Sequence, residues 1–186
     1  MSFNLVNQFL IAMPDMRDPN FSQTVTLICE HNEQGALGFV INHPTQMSVG
    51  DLLDQQKIPF DDTTDLPDWP LYFGGPVEPE RGFIVHTPEK TWSTTMKVGS
   101  SFGITASLDI IEDSVSGEGP DKSLYILGYA GWGAGQLENE ISENAWLTTP
   151  ADPAIVFDLP AEERWRSAAS RLGIDLDLMN ANPGHA

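Results

Sequence analysis

One cysteine, Cys29, stands in 186 residues, so no intramolecular disulfide can form and the fold must rest on its own core. No run of 18 or more apolar residues is available to span a bilayer, and the opening Met1-Ser2-Phe3-Asn4-Leu5 lacks the basic segment of a secretory signal. The cytosol is the compartment that fits, with no membrane partner. Cations are scarce as well: nine Lys and Arg against 27 Asp and Glu leave a net charge of −18. A globule this acidic repels polyanions at moderate salt, which disfavours nucleic acid as a partner. Only Arg164, Arg166 and Arg171 lie close together, and Glu162 and Glu163 adjoin them. The charge reads as a solubilising surface.

Metal chemistry finds no foothold either. His43, His86 and His185 are scattered singly, and no HxxxH, HExxH or paired-cysteine spacing occurs. No metal or cofactor is expected, there is no repeat at a fixed period, and nothing in the sequence sets an oligomeric state.

What is present is the composition of a packed domain, 40% hydrophobic over a length that buries about 70% of its unfolded surface in one core. Strands are expected at Phe9–Ala12, Val25–Cys29 and Leu37–Ile41, the last two joined by about seven residues as an antiparallel hairpin. Ser48 with Asp51 is the signature of a capping box before Val49, Leu52 and Leu53. The polar, acidic stretch 55–70 reads as a mobile surface loop. Leu71–Phe73 and Gly82–His86 are two further strands, and Ser107 is placed to cap a helix with Leu108, Ile111 and Val115 on one face. A strand over Leu124–Tyr129, a helix over Gln136–Asn144 and a strand at Ile155–Phe157 follow. The last helix is expected to be capped by Asp158 and closed by Gly173, with Trp165, Ala168, Ala169 and Leu172 inward. Hairpins with helices at irregular spacing predict a single α+β domain over 1–186, mainly antiparallel, with several short helices around the sheet.

The most unusual segment is Gly128-Tyr129-Ala130-Gly131-Trp132-Gly133-Ala134-Gly135-Gln136-Leu137-Glu138, joining a strand to a helix, where free N–H groups can hold an anion. It matches no phosphate fingerprint: a P-loop needs Gly-Lys-Ser/Thr where Gly135-Gln136-Leu137 stands, and Glu138 and Glu140 oppose an anion. The alternative is close backbone packing, with Trp132 plugging the core. Asn42-His43-Pro44 and Gly74-Gly75-Pro76 end strands with turn chemistry. If these junctions meet the Trp132 loop, Asn42, His43, Gly74, Gly75, Trp132, Gly133, Gln136 and Glu138 line one binding cleft. As catalytic candidates, Cys29 and His31 stand two apart on a strand, where regular alternation gives them one face for a thiolate–imidazole pair, and Glu138 is a candidate base.

Taken together, Phe21-Ser22, the run Gly35 to Pro44, Phe73-Gly74-Gly75-Pro76-Val77, the glycine-rich segment and terminal Gly184-His185-Ala186 resemble the AlgH/YqgE family from end to end. Thr105-Ala106-Ser107 departs slightly, where that family often has a second threonine. The resemblance implies an α+β fold with irregular, bulged sheets and no established catalytic residues. It also carries a transcriptional-regulator label, attached through one member linked to alginate production. That label sits badly with the absence of a helix-turn-helix signature and of a basic recognition helix. Three functions follow: a regulatory or binding protein acting through an unidentified small molecule or protein, an enzyme using Cys29 with His31 or Glu138, and a direct DNA regulator.

Overall fold

The computed structural model describes residues 4–181, and Met1-Ser2-Phe3 and Gly184-His185-Ala186 lie outside them. β1 (Gln8–Ala12), β2 (Val25–Asn32) and β3 (Gly35–Val40) form an antiparallel meander. The hairpin link is tighter than the seven residues expected. Pairing runs out to Asn32 and Gly35, and Asn32 Oδ1 accepts the Gln34 N–H at 2.8 Å to turn the chain. β4 (Pro44–Ser48) leads into α1 (Val49–Gln55), whose capping box is formed as predicted. The Asp51 N–H donates to Ser48 Oγ at 3.2 Å and the Ser48 N–H to Asp51 Oδ2 at 2.8 Å, so two end donors are satisfied reciprocally. Within 55–70, Leu66–Asp68 form a 3-10 turn whose Leu66 is buried in a cluster with Val49 and Leu53.

β5 (Pro70–Phe73), β6 (Val77–His86), β7 (Met96–Val98) and β8 (Phe102–Thr105) follow, then α2 (Asp109–Val115). Ser107 does not cap this helix. Its Oγ donates instead to Asp109 Oδ1 at 2.5 Å, the cap position falls to Leu108, which is 45% exposed, and Ile110 and Ile111 turn inward. The longest strand is β9 (Ser123–Gly133), with 11 residues. Its first part pairs with β6 and, in parallel, with β5; past Gly128, at φ 76°, it pairs with β3. α3 (Gln136–Ser142) and β10 (Trp146–Pro150) complete the sheet, in the order β10-β1-β2-β3-β9-β6-β8-β7 with β4 and β5 branching from β9. The sheet curls into a half-barrel, antiparallel except for β5 on β9. Its register shifts at Ile28/Glu30, Pro44/Ser48 and Val77/Gly82. A bulged α+β domain was the expectation, and it is what the chain forms.

The C-terminal third departs from the sequence reading. Ile155-Val156-Phe157 is not a strand but most of α4 (Pro153–Phe157). Asp152 Oδ1 accepts the Ala154 N–H at 3.0 Å and Pro153 fills the first turn, start signals that outweigh two β-branched residues. Asp158 caps the end of α4 and pairs with Lys122, so α5 (Ala161–Ser170) begins after Pro160 with no side-chain cap. Trp165, Ala168 and Ala169 are buried as expected, and the Trp165 indole donates to the Ala12 carbonyl at 2.9 Å. Leu172 is 41% exposed; Arg164, one turn before Ala168, is inside instead. α6 (Leu176–Ala181) ends the described chain, and none of the described helices is long and apolar enough to cross a membrane.

His86, fully buried, ties β6 to β8. The Thr87 carbonyl, 2.7 Å from Nδ1, can only accept, so the proton sits on Nδ1 and Nε2 accepts from Thr105 Oγ1 at 2.7 Å. Thr105 accepts in turn from Thr95, and Thr95 from the Trp92 N–H, a relay that runs one way only while the ring is neutral. Burial holds the His86 pKa below its ordinary 6.5, against the pull of the Thr87 carbonyl and Glu89. The unfolded chain therefore takes up the proton first, so stability is full above pH 6.5 and is lost as pH falls from there toward the folded-state value. Urea midpoints measured between pH 8 and 5 should fall in that window. His86→Gln should flatten the decline in part, His43 supplying the remainder because its pKa is also lowered by burial.

Candidate functional site

The predicted cysteine–histidine pair is not assembled. Between Ile28 and Glu30 the β2 register advances two residues while β3 advances one, so Cys29 is the extra residue of a β-bulge. Alternation breaks there. Cys29 stays in the main core with Val25, Leu27 and Phe39, whereas His31 faces the second cluster, where the Leu5 N–H donates to its Nδ1 at 3.0 Å. Cys29 is 4% exposed, and burial, reinforced by the charge on Glu30, pushes its thiol pKa far above the ordinary value. Its Sγ lies 3.7 Å from the Leu27 carbonyl.

Glu138 does meet His31: Oε1 lies 3.3 Å from Nε2, a contact between charges or dipoles and not an aligned hydrogen bond. With the Leu5 N–H on Nδ1, neutral His31 carries its proton on Nε2, toward Glu138. The rest of the glycine-rich segment is tied down locally. Trp132, 7% exposed, packs with Phe21, Trp146 and Leu137, its ring 6.2 Å from that of Trp146 in a T-shaped pair. Glu140 Oε1 accepts both indole N–H groups, from Trp132 at 3.1 Å and Trp146 at 2.9 Å. Gln136 accepts the Gly133 N–H at 2.9 Å and passes a hydrogen bond to Glu140 Oε2. An N–H that could have held an anion is thus already engaged.

Asn42, His43, Gly74 and Gly75 form a separate group. Asn42 Oδ1 accepts the Val25 N–H and its Nδ2 donates to the Gln23 carbonyl, both at 2.9 Å, so the amide clamps the turn before β2. The Phe73 N–H donates to the His43 carbonyl and the Val40 N–H to the Gly74 carbonyl, which brings the two junctions side by side. A Cβ on Gly75 would stand 2.1 Å from the Tyr129 carbonyl carbon, and one on Gly74 would stand 2.4 Å from the Gly128 oxygen. These glycines exist for close approach of backbones. Trp132 pairs with Ala36 and Asn42 lies six residues further along, so Asn42 stands on the order of 20 Å from Trp132, whereas Gly75, against Tyr129 and Ala130, lies between them, two to three residues from Trp132 along β9. The Asn42-His43 junction is thus set apart from Trp132, with the two glycines packed on β9 between them.

Two open hollows lie nearby, and of the predicted binding residues only Trp132 lines either of them. One, of about 220 Å³ beside Trp132, is walled by Glu30, Asn32, Gln34 and Gly35. The other, also about 220 Å³, lies past the Asn42 junction between β5, β9 and the C-terminal helices, and is walled by Trp69, Tyr72, Leu124, Phe157 and Arg164. Arg164 was not among the sequence candidates. The signal was a cation standing four residues before Ala168, on the buried stripe of α5.

These features define a curled, mainly antiparallel α+β half-barrel drawn together by glycine-mediated backbone contacts, with His31 and the indoles of Trp132 and Trp146 engaged internally. A family model described as AlgH-like matches residues 9–177, and the chain belongs to that family. A UPF0301 protein of Thioalkalivibrio sulfidiphilus is 52% identical over 185 residues, covering 100% of this chain and 98% of the relative. One from Pseudomonas aeruginosa is 51% identical over 182 residues, with 98% and 96% covered. The solution structure of the AlgH protein from Pseudomonas aeruginosa superposes with a TM-score of 0.81 at 49% identity, covering 100% of this chain and 98% of that one. A Corynebacterium diphtheriae protein, at 21% identity and TM-score 0.75 over 95% and 92% of the two chains, shares the fold.

Glu140 offers a direct check on the loop. Glu140→Ala strands two partly buried indole donors and should cost about 2 kcal/mol in denaturant unfolding. Glu140→Gln keeps an acceptor oxygen and should retain most of the stability.

Proposed function

We propose that this chain is a cytosolic regulatory or binding protein that acts through a small molecule or a protein partner, without chemistry on its own side chains and without direct contact to DNA. The observation that carries this reading is the fate of Cys29: a thiol sealed in the main core, on the far side of a bulge from His31, is in no position to attack a substrate. Glu138 stands 3.3 Å from the buried His31, on the other side of the bulge from the thiol.

The regulator label is read here as indirect. The three cations that cluster in sequence do not make a basic face, because Arg164 is buried while Arg166 pairs with Asp177 and Arg171 with Asp152. Arg81 and Lys122 are likewise paired, with Glu78 and Asp158. A phosphate backbone would have to compete with these carboxylates across a charge of −18.

Cys29 should resist iodoacetamide in the native protein and react only after denaturation; rapid native alkylation would revive the enzyme reading. A metabolite screen by thermal shift, joined to affinity capture from lysate, should find a ligand or partner. A ligand at 100-fold its Kd adds about 2.7 kcal/mol, which raises Tm by roughly 5–10 °C for a domain of this size. Retardation of duplex DNA at low salt, lost steeply as salt rises, would contradict the indirect reading.

A further inference from the structure

Among the described residues, Arg164 is the only Lys or Arg that is buried, at 4% exposure. Its Nε donates to the Leu159 carbonyl at 3.1 Å, its Nη1 donates to the Ile41 carbonyl, and its guanidinium carbon lies 5.2 Å from the centre of the Tyr72 ring. Neither bond uses Nη2. Among the described residues no carboxylate pairs with it, although 27 acidic residues are available in the chain. Carbonyl dipoles and a ring face soften a buried positive charge but do not neutralise it, and a buried ion without a counter-charge is costly to keep. The same guanidinium borders the hollow formed with Trp69, Tyr72, Ser123, Leu124 and Phe157.

The geometry points to this hollow as a binding site for a small aromatic carboxylate, its carboxylate on the unengaged Nη2 of Arg164 and its ring among Trp69, Tyr72 and Phe157. With Nε and Nη1 held by carbonyls, Nη2 is left to donate a charge-assisted hydrogen bond to a carboxylate oxygen. Three aromatic walls favour a flat apolar body, and Trp69, 36% exposed, stands at the opening. The hollow, about 220 Å³ and open to solvent, has room for a single ring. A monoanion suits a chain of net charge −18 better than a phosphate dianion does. This inference rests on the reading of the chain as a binding protein and names the ligand class for one place on it.

The test is a titration of the full chain with benzoate, with phenyl phosphate and inorganic phosphate as parallel arms, followed through the Trp69 indole resonance and by Tm. Saturable shifts of Trp69 at millimolar benzoate are expected, weaker with phenyl phosphate and absent with inorganic phosphate. Arg164→Lys keeps the charge but loses the Nη2 donor and the planar group that holds it in place, and should weaken benzoate at least tenfold. If that variant unfolds, Trp69→Ala decides: followed by the ligand-induced rise above its own ligand-free Tm, it should weaken benzoate several-fold. Binding that is indifferent to both substitutions, equal occupancy by inorganic phosphate, or no response to benzoate overturns the proposal. A hit from the wider screen that survives both variants would overturn this site alone, whereas a wild-type chain silent to every ligand and partner would remove the broader reading as well.

Discussion

Backbone reaching backbone along β9 is the constraint on which this fold depends. One strand of 11 residues serves β6, β5 and β3 in turn, and it can do so only where the neighbouring chain has no side chain in the way. Gly74 and Gly75 press against Gly128 to Ala130, and a Cβ on Gly35 would stand 2.1 Å from the Trp132 carbonyl oxygen. The contacts draw the β3 end, the β5 end and the two halves of β9 into one curled sheet, leaving α5 to cover the core with Trp165.

That economy of space shapes the chemistry. Once the glycine segments are committed to packing, their polar neighbours are drawn into holding them: Glu140 takes both indoles, Gln136 takes the Gly133 N–H, and Asn42 takes the turn before β2. Such groups are satisfied, and satisfied groups rigidify a fold more readily than they bind. Arg164 is the exception in kind. It is buried like a core residue and charged like a site residue, with only carbonyls and a ring to hold it.

Much of the fold was legible in the sequence because its signals are local. The capping box at Ser48 and Asp51, the β2–β3 pairing, the strand leading to Tyr129 and the stripe of Trp165, Ala168 and Ala169 each depend on residues within a turn or two. What escaped depends on register or competition. A bulge at Cys29 is invisible to a period-two reading, and it undid the pairing with His31. Asp152 and Pro153 captured Ile155-Val156-Phe157 for a helix, which displaced Asp158 from its expected cap. The junctions expected to share a cleft carry the right turn chemistry, but Asn42 stands a strand length from Trp132 while Gly75 packs two to three residues from it, spacings that no local pattern encodes.

The central claim, that the glycines of Phe73-Gly74-Gly75-Pro76 are there to let β9 pass, is tested most directly by comparing two alanine substitutions. Gly75 is at φ 153° with the Tyr129 backbone in the space of its Cβ, whereas Gly133 has only the Gln136 side-chain oxygen, at 3.9 Å. Denaturant unfolding should show Gly75→Ala losing about 3 kcal/mol or more, from strain and overpacking together, and Gly133→Ala changing stability by less than about 1 kcal/mol. Equal, small losses at both positions would contradict the account.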